Sequence, residues 1–186
     1  MNDDILQIST GVSIPRDELR FCFSRSSGPG GQHRNKTSSG VFLTHRPTGC
    51  VSEATERRSQ AHNREVALER LRYLLAIAIR TPSVLDSVSA DAVSSDDSEG
   101  KSDDQELAFR VRYRGHPLRL NDANFDKPAV LALVLNDIWA AGGQPSLVAQ
   151  SWSVSTSRVV SLIRSVPAAL VWVNRVRAHH ERLPLH

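Results

Sequence analysis

Residues 24–36 read SRSSGPGGQHRNK, and their composition is that of a loop built to approach a ligand closely. Gly28, Gly30 and Gly31 open backbone angles closed to other residues and remove side chains that would hold a ligand off. Gln32 is polar with no apolar neighbour to bury it, and Arg25, Arg34 and Lys36 surround it with cations suited to phosphates. Taken alone, a Gly-Gly-Gln tripeptide in such a loop reads as a solvated strand connection. The tripeptide recurs at Gly142-Gly143-Gln144 without the flanking His, Asn and Lys, between an apolar run and Pro145. There it reads as a helix stop followed by a turn.

The elements that must position the first loop follow from periodicity. Before it, Leu19, Phe21 and Phe23 alternate with Arg20, Cys22 and Ser24, the pattern of a half-buried strand. After it, two short strands flank Arg46-Pro47-Thr48-Gly49, a turn with Pro second and Gly fourth, and so form a hairpin. From Ser59, Leu68, Leu71, Leu75 and Ala78 recur at helical spacing, and Thr81-Pro82 supplies a stop. One helix covering one face of a small, mostly antiparallel sheet is an α+β arrangement.

Charge divides the 186-residue chain. Residues 1–80 carry +4, residues 81–106 carry −7 and residues 107–186 carry +6. The middle block is rich in Ser and Asp and lacks aromatics, so it is expected to be a disordered linker between two small units. Basic units favour anionic partners such as nucleic acid, although a charge run is also an ordinary solvated face. In the second unit, Phe109, Val111 and Tyr113 alternate with Arg110, Arg112 and Arg114, which predicts a strand with one basic face. Residues 127–141 then read as a helix with Pro128 in its first turn. Next come two short helices with Ala149, Val154, Val159 and Leu162 at the positions of a helix-turn-helix, although Ser153 stands where that motif usually has Gly. A recognition helix there would present Ser157, Arg158, Ser161 and Arg164, and a small helical domain using the same packing is the alternative. Trp139, Trp152 and Trp172 fall at helical positions and are expected in the core.

No run of about 18 apolar residues offers a membrane span. The N-terminal MNDDILQIST shows neither a secretory signal nor an Arg-rich transit peptide, so the cytoplasm is the expected compartment. Cys22 and Cys50 are read as reduced. With His33, His45 and His62 they lack C-x-x-C or H-x-x-x-H spacing, and no metal is expected. His179, His180 and His186 are expected to be solvent-exposed.

The runs GPGGQHRNKTSSGVFLTH and PTGCVSEATERRSQAHNREVALERL, residues 28–71, resemble the catalytic domain of class I peptide chain release factors. ISTGVSIPRDELRF, residues 8–21, is similar to the start of their short relatives, the codon-independent ribosome-rescue peptidyl-tRNA hydrolases. The resemblance implies hydrolysis of the ester joining a nascent peptide to P-site tRNA, in the peptidyl-transferase centre, with the ribosome, its RNA and the peptidyl-tRNA as partners and no cofactor or metal. It implies a chain that is a monomer off the ribosome. Gly30, Gly31 and Gln32 carry over as the catalytic element, the Gln main-chain N–H stabilising oxyanion charge and its side chain placing the water. Gly28, Pro29, His33 and Asn35 support the loop, and Arg25, Arg34, Lys36, Arg57, Arg58, Gln60 and Arg64 are candidates for RNA contact, although Arg on a helix surface is as often solvated or ion-paired.

Three features depart from the resemblance. Arg34 stands where an apolar residue is usual, only about ten residues precede the match, and the segment after the helix is acidic rather than a Lys/Arg-rich tail. The expected organisation is a catalytic unit over 1–80, the linker over 81–106, and a basic strand and turn plus helices over 107–186. A ribosome- or nucleic-acid-binding module without hydrolysis is the alternative, and a regulator driven by the helix-turn-helix segment is a third.

Overall fold

A computed structural model of the chain describes residues 5–9, 12–25, 38–86, 100–115 and 118–186. These fall into two compact units, with residues 13–78 in the first and 79–186 in the second. Strands β1 (Ile5–Ser9) and β2 (Val12–Pro15) pair with each other, and a 3-10 turn, Arg16–Glu18, leads into β3 (Leu19–Ser24). β3, β4 (Gly40–His45) and β5 (Val51–Ala54) form an antiparallel sheet in that order, and helix α1 (Gln60–Ala78) packs on β4 and β5.

Alternation decides which face of the sheet is covered. Val41, Leu43 and His45 of β4 point into the core while Phe42 and Thr44 are half-buried, the period of two that pleating requires. The β4–β5 hairpin turns at Arg46–Thr48 and closes with His45 N–H on the Cys50 carbonyl, 2.9 Å, and Gly49 takes the left-handed φ of 69°. His45 is buried between Thr48, whose Oγ1 is 2.8 Å from Nδ1, and Glu18, whose Oε2 is 3.0 Å from Nε2, which ties the hairpin to the start of β3.

The buried stripe of α1 runs through Asn63, Ala67, Leu71 and Leu75. It is rotated from the expected one: Leu68 is half-buried and Ala78 exposed. The shift follows from the sheet, because Ser52 Oγ on β5 donates to the Ala67 carbonyl at 2.8 Å and sets which side of the helix faces down.

In the second unit the expected strand over residues 107–114 is instead part of helix α2 (Gly100–Tyr113). A strand would place Val111 beside Phe109 and Tyr113, yet Val111 is 64% exposed while Tyr113 is buried. Helical spacing stacks Phe109 on Tyr113, with ring centroids 5.0 Å apart, and pairs Glu106 with Arg110 at 2.7 Å. The deciding contact is tertiary. Arg110 donates two hydrogen bonds, 2.7 and 2.8 Å, to the fully buried carboxylate of Asp137. Burial works against the Arg110 charge, but its bonds to Asp137 outweigh that and raise its pKa.

Asp137 lies on α3 (Lys127–Ala140), which is buried along nearly its whole length beneath α4 (Pro145–Ser151), α5 (Thr156–Arg164) and α6 (Pro167–His179). It also accepts from Trp152 Nε1 at 2.6 Å and Ser83 Oγ at 2.5 Å. Thr81 and Arg80 both bond Asn136, the next residue along α3, so residues 81–86 belong to this unit rather than to a linker. The expected linker is thus trimmed at both ends, by this segment and by the start of α2; residues 87–99 lie outside the described residues. Of the three tryptophans only Trp152 is core; Trp139 is 55% exposed and leans on half-buried Trp172.

The second Gly-Gly-Gln is the end of α3. Gly142 and Gly143 have φ of 55° and 76°, and their N–H groups return to the carbonyls of Trp139 and Ile138. Arg177 and Arg182 cap the two glycine carbonyls, at 2.5 and 2.9 Å.

Because Asp137 neutralises a buried guanidinium, Asp137→Ala should cost about 3–5 kcal/mol in the unfolding of the second unit by denaturant titration. A loss below about 1 kcal/mol would mean that Arg110 finds water or another acid instead.

Candidate functional site

The segment that carries the first Gly-Gly-Gln leaves β3 and returns into β4. Gly28, Pro29, Gly30, Gly31, Gln32, His33, Arg34, Asn35 and Lys36 lie outside the described residues, whereas both ends of the segment are described. The strands run in register from Leu19↔His45 to Ser24↔Gly40, so the last rung of the β3–β4 ladder brings the two ends together. Gly40 is required there by space: a Cβ would lie 2.6 Å from Ser24 Oγ and 3.2 Å from Thr55 Cγ2.

The returning end is held by the first turn of α1. Ser59 begins that turn, its Oγ accepting the His62 N–H at 3.3 Å, as an N-cap serine does. Gln60 then donates from Nε2 to the Ser38 carbonyl, 2.8 Å, and Asn63 from Nδ2 to the Ser39 carbonyl, 2.7 Å. Asn63 has no solvent exposure and uses its other capacity on Arg57, donating to its carbonyl at 2.9 Å and accepting its N–H at 3.0 Å. One buried amide therefore joins the loop stem, the β5–α1 connection and the helix.

This arrangement places the remaining candidates. Arg25 is exposed where β3 ends, and Arg57 and Arg58 are exposed on the connection that Asn63 grips. Arg64, one turn beyond Gln60, lies over the Phe21 ring at 4.7 Å, a cation–π contact that holds its guanidinium over β3. Gln60 and Arg64, with Arg16, Phe23, Ala61, Glu65 and Leu68, line an open groove of about 520 Å³ beside the stem. The acid nearest in sequence to Arg57 is neutralised: Arg70 hydrogen-bonds Glu56 at 2.7 Å and holds its carboxyl below the ordinary range. The stem is thus a cationic surface with fixed backbone, suited to a polyanion.

Sequence reasoning assigned Gln60 to RNA contact and missed Asn63. The geometry gives the Gln60 amide nitrogen a positioning bond to the Ser38 carbonyl. Asn63 could have been found as the polar residue that continues the Ala67, Leu71, Leu75 stripe, since an amide on a buried stripe must have fixed partners. Cys22 and Cys50 are free thiols, and among the described residues no three His, Cys, Asp or Glu side chains gather as metal ligands would. No helix among them is long and apolar enough to cross a membrane.

Comparison with known proteins bears on the same stretch. The family model of the RF-1 domain matches residues 6–108. Peptide chain release factor 1 of Lactiplantibacillus plantarum is 51% identical over 61 residues, which are 33% of this chain and 17% of that protein. The mitochondrial peptide chain release factor 1-like protein of Rattus norvegicus is 52% identical over 61 residues, 33% of this chain and 16% of its own. Peptide chain release factor 2 of L. plantarum is 48% identical over 67 residues, 36% and 18%. The chain therefore spans about a sixth of the length of these relatives.

Asn63→Ala would strand the buried Ser39 carbonyl and leave the Arg57 backbone groups to water, and should cost about 1–3 kcal/mol in denaturant unfolding of the full chain. Gln60→Ala, at the exposed edge, should cost less than about 1 kcal/mol. Equal losses would show that the buried amide is not the tie.

Proposed function

Since the chain belongs to the RF-1 domain family, we propose that its first unit hydrolyses the ester between a nascent peptide and P-site tRNA on the ribosome, and does so without reading a codon. The observation that carries this reading is the stem. A loop bearing Gly30-Gly31-Gln32 issues from a strand rung, Ser24↔Gly40, and from two residues, Ser38 and Ser39, held by Gln60 and Asn63. A backbone donor stabilises developing oxyanion charge only when it is delivered at hydrogen-bond distance, which requires both a fixed stem and side-chain-free residues at the tip.

In this mechanism Gly30 and Gly31 let the loop approach the ester carbon, the Gln32 N–H donates to the tetrahedral oxyanion, and the Gln32 side chain places the attacking water. Gly28, Pro29, His33 and Asn35 shape the loop. Arg25, Arg34, Lys36, Arg57, Arg58 and Arg64 meet ribosomal RNA phosphates, where each cation releases a condensed counterion. The RNA and the tRNA hydroxyl supply the remaining groups, so the protein's part is positioning and electrostatics. Codon independence is supported by the likeness of residues 8–21 to the start of the short, codon-independent relatives.

Peptide release from ribosomes holding peptidyl-tRNA on a truncated message tests the reading. Gly31→Ala should lower the release rate by about 100-fold, the usual effect of a displaced oxyanion donor, and Gln32→Ala, which keeps the N–H and loses only the side chain that places the water, should lower it by less. Gln144→Ala should leave it unchanged, and a stop codon in the A site should give no advantage over a sense codon. No release by the native chain would leave the module as a binder only, and undiminished release by Gly31→Ala would overturn the role given to Gly30-Gly31-Gln32.

A further inference from the structure

The second unit contains a helix-turn-helix whose outer helix is turned to solvent. α4 and α5 are joined by residues 152–155, and Ser153 takes the left-handed φ of 51°, the conformation for which this motif ordinarily uses glycine. Arg114 Nε donates to Ser153 Oγ at 3.0 Å and holds the turn from outside. Behind it, Val159, Leu162 and Ile163 of α5 are buried toward α3 and α6.

The opposite side of α5 presents Thr156, Ser157, Arg158, Ser161 and Arg164, all exposed. No large apolar side chain on this helix is exposed, which separates it from a protein-docking face with an apolar centre. Among the described residues neither Arg158 nor Arg164 is in an ion pair, in contrast to Arg110 and Arg112 of α2, which are. Moreover the chain has no Asp or Glu between Asp137 and Glu181, while Arg158, Arg164, Arg175 and Arg177 fall in that interval. The field of α4, α5 and α6 is therefore of one sign. Hydroxyls and guanidiniums are groups that contact sugar and phosphate, which supply half or more of the hydrogen bonds to a nucleic acid.

We propose that the exposed face of α5, with Ser157, Arg158, Ser161 and Arg164, binds the sugar–phosphate backbone of a folded RNA. The preference for RNA over DNA rests on the ribosomal reading of the first unit; the anion-binding face itself does not. Short serines let the helix come close to a backbone, and the two arginines, six residues or about 9 Å apart along the helix axis, can reach separate phosphates. Such a site would raise the concentration of the catalytic unit near its RNA target without taking part in hydrolysis.

The test uses the full chain and a fluorescein-labelled RNA hairpin with a fully paired stem, its DNA counterpart, and anisotropy titrations at several salt concentrations. The native chain should bind the RNA hairpin with affinity that falls as salt rises. Arg158→Glu with Arg164→Glu should weaken binding about tenfold or more and reduce the salt slope by about two. Ser161→Glu, which touches no buried group, should weaken it less, and thermal melting of each variant checks the fold. Unchanged affinity in folded variants would overturn the proposal, as would DNA binding as tight as RNA binding; if the double variant does not fold, Ser161→Glu alone decides. In the peptide-release assay the charge-reversed protein should need a higher concentration for half-maximal release while reaching the native maximum rate. A native chain that releases no peptide yet loses hairpin affinity with α5 would sink the hydrolase reading and keep this one; release with hairpin binding indifferent to α5 would do the reverse.

Discussion

A single buried amide governs the first unit. Asn63 has three polar partners on two segments, and the buried one, the Ser39 carbonyl, would be unsatisfied without it. A small sheet with one helix buries little apolar surface, so polar contacts must help fix its edge. The amide does so at Ser39, because a buried carbonyl that has exchanged water for one donor cannot leave without losing the bond. The orientation of the stem is thereby coupled to the position of α1, and the cations of the β5–α1 connection are coupled to both.

The second unit solves the same problem of limited core with a charge instead of an amide. Asp137 gathers Arg110, Trp152 and Ser83 around one carboxylate on a helix that is otherwise apolar. Such a centre is costly to desolvate and adds little net stability, but it discriminates strongly against alternative packings, since any other arrangement leaves a buried charge bare. It fixes α2 against α3 and seats the indole of Trp152, from which the turn into α5 begins. The angle at which α5 faces solvent is thus set from the interior.

Much of this was legible in the sequence, and the failures have identifiable causes. The β3, β4 and β5 alternation, the Pro47–Gly49 turn, and the helices bounded by Pro128, Gly142 and Pro145 are local patterns that the fold retains. α2 was not legible because Phe-Arg-Val-Arg-Tyr satisfies a period of two as well as helical i,i+4 pairing. What decides between them is a carboxylate 27 residues away. The tilt of α1 escaped for a related reason: Leu68 and Leu71 are equally apolar, and only the Ser52 bond to Ala67 selects the buried side. At the candidate site, the cations and glycines announced themselves by type, whereas Asn63 had to be distinguished from a solvated asparagine by its partners.

The glycine turn after α3 carries a consequence for how this chain can vary over evolutionary time. A Cβ at Gly143 would lie 2.8 Å from Arg177 Cγ and 3.2 Å from its Cα, and the same arginine donates to the Gly143 carbonyl. Gly143 is therefore closed to other residues whatever stands at position 177, by its φ of 76° and by the backbone of Arg177, whereas position 177 can change at the cost of one hydrogen bond to the turn. The Gly-Gly pair here keeps its spelling for reasons of turn geometry and fit to α6, independently of anything that acts on the first Gly-Gly-Gln.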